Sequence, residues 1–148
     1  MKILLLAGGR GPGAPESTMA RDYLARAAAA GRRIGVKEAA LVEIDERRLD
    51  HLRYVPKGAL IIACDERGED LSSQELALRI RKALDGGVPA LAFAIGAADG
   101  LPEAVRAAAG QTIAFGRATW PHMLVRAMAA EQIYRAVTIL TDHPYHRA

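Results

Sequence analysis

Apolar positions in this chain follow two rhythms. Five short runs are almost unbroken, at residues 2–7 (KILLLA), 39–44, 60–64 (LIIAC), 89–95 and 111–115. Unbroken runs of that length, ended by glycine or charge, predict strands buried on both faces of a sheet. Between them apolar residues recur every three or four positions, the period of helices. Residues 15–30 carry Met19, Tyr23 and Ala27 at four-residue intervals, with Gly31 as the stop. Ser72 and Glu75 have capping-box spacing ahead of a stripe of Leu76, Ile80, Ala83 and Leu84, and Gly86-Gly87 ends that helix. A short helix begins at Pro102 and stops before Gly110, and a long one starts near His122. Strands alternating with helices predict an α/β fold with a mostly parallel sheet flanked by helices. Residues 1–148 form one domain, without repeat or linker.

The last helix has the least ordinary pattern. Thr119 is placed to cap it, and Pro121 sits in its first turn. Wound at about 100° per residue, Val125, Ala129, Ile133, Ala136, Val137 and Leu140 share one apolar arc, with Arg126 in its middle. Glu131 stands four residues before Arg135, a stabilising helix pair. Arg126 has no such local explanation: on a buried face a guanidinium needs a carboxylate, a ring of carbonyls, or a ligand or RNA. Alanines at 127, 129, 130 and 136 keep the helix narrow and predict partner surfaces on more than one side.

Three segments end strands: 65–68 (DERG), 96–100 and 116–121. Loops at the carboxyl ends of parallel strands are where open α/β sheets build clefts, so these three are expected to line one pocket. The glycine-rich loop Gly8-Gly9-Arg10-Gly11-Pro12-Gly13 lacks both nucleotide-binding spacings and reads as a mobile loop. Residues 45–58, polar and basic, have no assigned element.

Composition narrows the class. Half of the residues are hydrophobic (51%), which argues against disorder. One cysteine, Cys64, cannot form an internal disulfide, and no membrane-length apolar run is present, so a cytoplasmic protein without membrane attachment is expected. Net charge is only +3, but Arg10, Arg32, Arg33, Arg47, Arg48, Arg53, Lys57, Arg117 and Arg147 are spread over surface-like positions, which permits nucleic acid. The cluster His143-Pro144-Tyr145-His146 lacks further ligands nearby, and no metal site is expected.

The DERG segment followed by LSS (71–73), the IGxxxG loop (95–100) followed by Leu101, and TWPHxLVR…EQxYRA…HPYHR (119–147) together resemble the ribosomal RNA large subunit methyltransferase H family. The resemblance runs in order over nearly the whole chain. It implies a SPOUT methyltransferase with a C-terminal deep trefoil knot, a feature the general rule against knots would otherwise disfavour. It further implies S-adenosylmethionine as methyl donor, N3 of pseudouridine 1915 in 23S rRNA of the assembled ribosome as acceptor, and a homodimer as the working form.

Carried over by position, the cofactor would meet Cys64, Gly96 and Ala97, and the loop Phe115, Gly116, Arg117, Ala118, Thr119 and Trp120. His143, Tyr145, His146 and Arg147 become candidate catalytic residues reaching the partner subunit's cofactor. Arg10, Arg126 and Arg147 become candidate RNA contacts. The chain departs from the family pattern at Cys64, at Ala97 where glycine is usual, at Arg117, in a shortened stretch over residues 47–57, and at Ala148, where an acid is usual. Those departures define a competing reading, a ribosome-binding protein that has lost methyl transfer. A flavodoxin-like nucleotide binder using Gly8 to Gly13 is a second.

Overall fold

The computed structural model describes residues 1–147; Ala148, the terminal departure from the family pattern, lies outside the described residues. Five strands, β1 (Lys2–Gly8), β2 (Glu38–Ile44), β3 (Leu60–Asp70), β4 (Ala90–Ile95) and β5 (Gln111–Ala114), form one sheet in the order β2-β1-β4-β3-β5. Every neighbouring pair is parallel. The apolar runs are unbroken because both faces are covered. Ile3, Leu5, Leu91, Phe93 and Ile62 join a core on one face, while Leu4, Leu6, Ala92, Ala94 and Ile61 join a core on the other. Leu5 and Leu6 are both fully buried, and each such side chain contributes about 1.5–3 kcal/mol of transfer free energy.

Helices α1 (Pro15–Gly31), α2 (Ser73–Asp85) and α4 (His122–Leu140) supply the first core, and α3 (Glu103–Ala108) caps the second through Val105. The capping box of α2 is realised: Glu75 N–H donates to Ser72 Oγ at 3.2 Å and Ser72 N–H donates to Glu75 Oε2 at 2.7 Å. Helix α1 ends at Gly31, but a 3-10 turn, Arg32–Ile34, follows, and the left-handed exit falls to Gly35 at φ 101°. Helix α4 packs against both α1 and α2. The second side expected from its alanines is thus occupied within the chain, and Ala127, Ala129, Ala130 and Ala136 are all buried there.

Two expectations change. Residues 65–68 do not end the third strand. Cys64 and Glu69 both pair with Ile113, so the intervening residues arch out as a bulge and the strand resumes against β5. Gly68 permits the return, since a Cβ there would stand 2.5 Å from the Ile113 backbone. The unassigned stretch 45–58 contains a 3-10 turn, His51–Tyr54, moored by a fully buried His51. Among the described residues no helix is long and apolar enough to cross a membrane.

Candidate active site

At the bulge of β3 and the carboxyl ends of β4 and β5 the chain encloses a cleft of about 790 Å³. Its walls are Cys64 to Arg67, Ile95 to Leu101, and Ala114 to His122 without Arg117, joined by Arg106 and Val125. The three segments chosen from the sequence therefore meet at one place. Of the nine expected cofactor residues eight line the cleft; Arg117 is exposed and off the wall.

The β4 segment is a tight turn. Gly100 N–H donates to Ala97 O at 2.9 Å, and a Cβ on Gly96 would lie 2.2 Å from the Gly100 carbonyl carbon, so position 96 admits only glycine. Position 97 makes no such demand. Among the described residues the non-glycine positions with positive φ are Leu49, Asp142 and Arg147, so Ala97 carries its methyl without backbone strain.

In the β3 bulge, Arg67 donates from Nε to Asp65 Oδ1 and from Nη2 to Asp65 Oδ2, both at 2.8 Å. These hydrogen bonds, acting against burial, hold the Asp65 carboxyl down at about 2, so it is ionised throughout the neutral range. Burial pushes the Cys64 thiol up to about 12, which makes it a wall rather than a nucleophile. The bulge is tied to the opposite wall by Thr119, whose hydroxyl donates to Glu66 Oε2 at 3.0 Å. Thr119 consequently does not cap α4. The N-cap position is Pro121, without a side-chain cap, and Trp120 Nε1 folds back to donate to Phe115 O at 2.9 Å.

Arg126 is fully buried, and its partners are now explicit. Nη1 donates to Ser17 Oγ at 2.8 Å, and Nη2 donates to Gly8 O at 3.1 Å and Gly9 O at 2.6 Å. Glu43 Oε2 lies 3.5 Å from Nη1 and also accepts from Gly11 N–H. With no exposed surface, Arg126 cannot touch RNA in this arrangement; it is committed to the glycine loop. That loop is tethered at two further points: Gly9 N–H donates to Ile44 O at 2.8 Å, and the Glu43 carboxylate accepts from Gly11 N–H. Arg10 stands exposed on it.

The tail packs on α4. Tyr145 Oη donates to Glu131 Oε1 at 2.9 Å and its ring centroid is 4.5 Å from that of Tyr134. Burial, then Tyr23 and Glu131, raise the Tyr145 phenol above its ordinary value, which suits it to a hydrogen-bonded anchor rather than a base. His143 Nδ1 accepts the Tyr145 N–H at 3.2 Å. Among the described residues none of His143, Tyr145, His146 and Arg147 lines the cleft of its own chain. Glu66 and Asp99 line the cleft from within the segments expected there, and the charged residue that sequence reasoning missed is Arg106 on α3. Arg106 stands three residues after Glu103 on that short helix and bonds to it, a spacing at which a surface ion pair is unremarkable. His122, read as a first-turn residue, is in that turn and also on the wall.

A parallel sheet whose loops gather at one cleft, with the last helix packed back across α1 and α2, defines an open α/β domain with a ligand site at its carboxyl edge. A probable methyltransferase from Bordetella pertussis shares the fold at a TM-score of 0.51 with 15% identity, over 92% of each chain. A putative methyltransferase from Legionella pneumophila, solved with bound S-adenosylmethionine, shares it at a TM-score of 0.50 with 11% identity, over 95% of this chain and 66% of that one. Residues 1–146 match the family model described as a predicted SPOUT methyltransferase. The ribosomal RNA large subunit methyltransferase H of Xanthobacter autotrophicus is 47% identical over 160 aligned residues, covering 100% of both chains. The chain belongs to the SPOUT methyltransferases and, within them, to the ribosomal RNA large subunit methyltransferase H family.

Proposed function

We propose that this protein transfers a methyl group from S-adenosylmethionine to N3 of pseudouridine 1915 in 23S rRNA of the assembled ribosome. One observation carries the reading: three main-chain loops converge on one cleft at the carboxyl edge of the sheet. The residues fit the donor. Gly100 and Gly116 have φ of 88° and 82°, and nothing lies within 4 Å of where a Cβ would stand on either, so a ligand can lie against backbone there. Ile95, Leu101, Phe115 and Val125 supply apolar wall beside them.

When bound, the donor supplies a methyl carbon on a sulfonium, an electrophile whose leaving group is a neutral thioether. The protein's work is placement: a displacement of this kind is accelerated chiefly by holding nucleophile and electrophile in line. The acceptor imide must also lose its N3 proton. His143 Nδ1 is occupied by the Tyr145 N–H, so within the tail the His146 imidazole is the group suited to take that proton and Arg147 the one to stabilise the anion.

The tail reaches a cleft only through a second copy, which makes a homodimer part of the reading. A second concavity of about 520 Å³ supports this: Met19, Leu71, Leu76, Leu124 and Met128 line it, together with Glu131, to which Tyr145 is bonded. Met19 and Leu124 are 51% and 40% exposed, an apolar patch that a mate would cover. Ala114 and Phe115 line both concavities, so a twofold mate seated in the second brings its tail beside the first. The C-terminal trefoil knot belongs to the same reading, with α4 as the threaded element and the segments around the cleft as the loop it passes.

The test is incubation with ribosomes lacking the modification and labelled S-adenosylmethionine. Label recovered at a pseudouridine N3 of 23S rRNA is expected. Association with ribosomes without transfer, and without donor binding measurable by calorimetry, would instead indicate a ribosome-binding protein that has lost catalysis.

A further inference from the structure

We infer that His51 is a positioning residue for the Ile95–Gly96 peptide at the floor of the cleft, an inference that takes the cleft to be the methyl-donor site as proposed above. The 3-10 turn that carries it, His51–Tyr54, has no other assigned role.

His51 is fully buried, and a buried imidazole is tolerated only when its nitrogens find partners. Nε2 lies 2.8 Å from Ile95 O and Nδ1 lies 3.1 Å from Leu49 O. Both partners are carbonyls and can only accept, so a neutral ring hydrogen-bonds to one of them, and Nε2–H is taken as the donor to the nearer, Ile95 O. That carbonyl belongs to a special residue. Ile95 is the last residue of β4 paired on either side, to Ala7 of β1 and Cys64 of β3. Beyond it begins the Gly96–Gly100 turn that lines the cleft.

Position 96 must be glycine for steric reasons, yet glycine leaves the preceding peptide free to rotate. A restraint from outside the turn is therefore needed, and His51 provides it. Because the peptide is planar and trans, pinning Ile95 O to His51 also aims the Gly96 N–H in the opposite direction, away from His51. One side-chain hydrogen bond thereby sets the orientation of the peptide from which the cleft turn departs. The residue beside the other ring nitrogen is held by packing. Leu49 adopts φ 48°, and its Cδ2 packs 3.1 Å from where a Cβ on Gly8 would be, against the same spot that Ala97 N approaches to 2.6 Å. The 45–58 segment is thus stitched to the cleft turn through two neighbouring residues.

The experiment compares His51→Gln, whose amide nitrogen reaches the place of Nε2, with His51→Asn, which reaches only that of Nδ1. Binding of S-adenosylmethionine to the full chain is measured by calorimetry, amide exchange is followed at Gly96 to Gly100, and melting temperature is recorded for each. Losing one buried hydrogen bond corresponds to about tenfold, so His51→Asn is expected to bind about tenfold more weakly and to exchange those amides about tenfold faster. His51→Gln is expected to stay within about threefold of the parent in both, and KM for the donor is expected to rise more than kcat falls in His51→Asn. Equal losses in the two variants, tracking melting temperature, overturn the inference, as does an unchanged His51→Asn. A parent chain that fails to bind the donor overturns the cofactor reading instead, while the exchange rates still decide the tether. Should His51→Asn not fold, nitrogen NMR of the intact parent decides: a proton on Nε2 coupled to the Ile95 carbonyl supports it, and an unprotonated Nε2 overturns it.

Discussion

Replacing Arg126 by leucine isolates what a buried guanidinium does here. In the parent it donates to Ser17, Gly8 and Gly9 and faces Glu43 at 3.5 Å, with no exposed surface. Arg126→Leu leaves two carbonyls and a hydroxyl without their donor and weakens the compensation of a nearly buried carboxylate. Breaking a buried charge pair from one side typically costs about 3–5 kcal/mol. Glu43 keeps Arg21 at 2.8 Å and the Gly11 N–H, which places the expectation at the lower end. For a chain of this size about 3 kcal/mol lowers the melting temperature by about 6–12 °C. Urea unfolding and thermal melting measure the loss, and methyl transfer assayed well below the melting temperature measures the consequence. The glycine loop abuts His122 and Met123 at the start of α4, with His122 Nε2 3.4 Å from a Cβ on Gly9, so transfer should fall in step with stability. Adding Glu43→Gln to Arg126→Leu should cost less than the sum of the two, because the stranded charge is gone. A leucine variant that melts within about 2 °C of the parent would refute this reasoning, given the price of a stranded buried carboxylate. Stability retained with transfer lost would reassign Arg126 to ligand or RNA contact.

Other substitutions probe the cleft and tail. Gly96→Ala places a methyl 2.2 Å from the Gly100 carbonyl carbon, so S-adenosylmethionine affinity measured by calorimetry should fall by tenfold or more, whereas Ala97→Gly should leave affinity within a few-fold; a tolerant Gly96→Ala contradicts the turn geometry. Asp65 is depressed from 3.8 to about 2, so its stabilising pairing is fully present above pH 4 and is lost as pH falls through about 2; Asp65→Asn should flatten the melting-temperature profile over that window, and an unchanged profile removes the Arg67 pairing as its cause. Ending the chain after Pro144 removes the Tyr145–Glu131 contact and the candidate base, so turnover should vanish while donor affinity persists; normal turnover excludes the tail from the chemistry.

Much of the architecture was legible in local pattern. The continuous runs KILLLA and LIIAC announced strands covered on both faces, and Ser72 with Glu75 announced the start of α2, because burial and capping act over a few residues. The three cleft segments were placed by the rule that parallel strands open ligand sites at their carboxyl ends. The bulge at residues 65–68 was not legible, since DERG reads as a turn wherever it falls. Only the approach of Ile113 to Gly68 makes it an excursion from a strand that resumes. Thr119 stood in a cap position yet donates to Glu66 from another strand, a competitor that helix rules cannot see.

Sequence alone thus determined the order of elements, the faces they bury and, through the motifs at 95–101 and 119–147, the family. Tertiary structure decided the partners of the polar residues within that frame. Arg126 could have served RNA until the carbonyls of Gly8 and Gly9, more than a hundred residues away, were seen to hold it. His51 lay in an unassigned stretch until Ile95 was found at the end of its ring. The physical reason is common to both. Hydrophobic burial follows a periodic pattern written along the chain, whereas a hydrogen bond depends on the distance and angle of two groups that only the finished fold brings together.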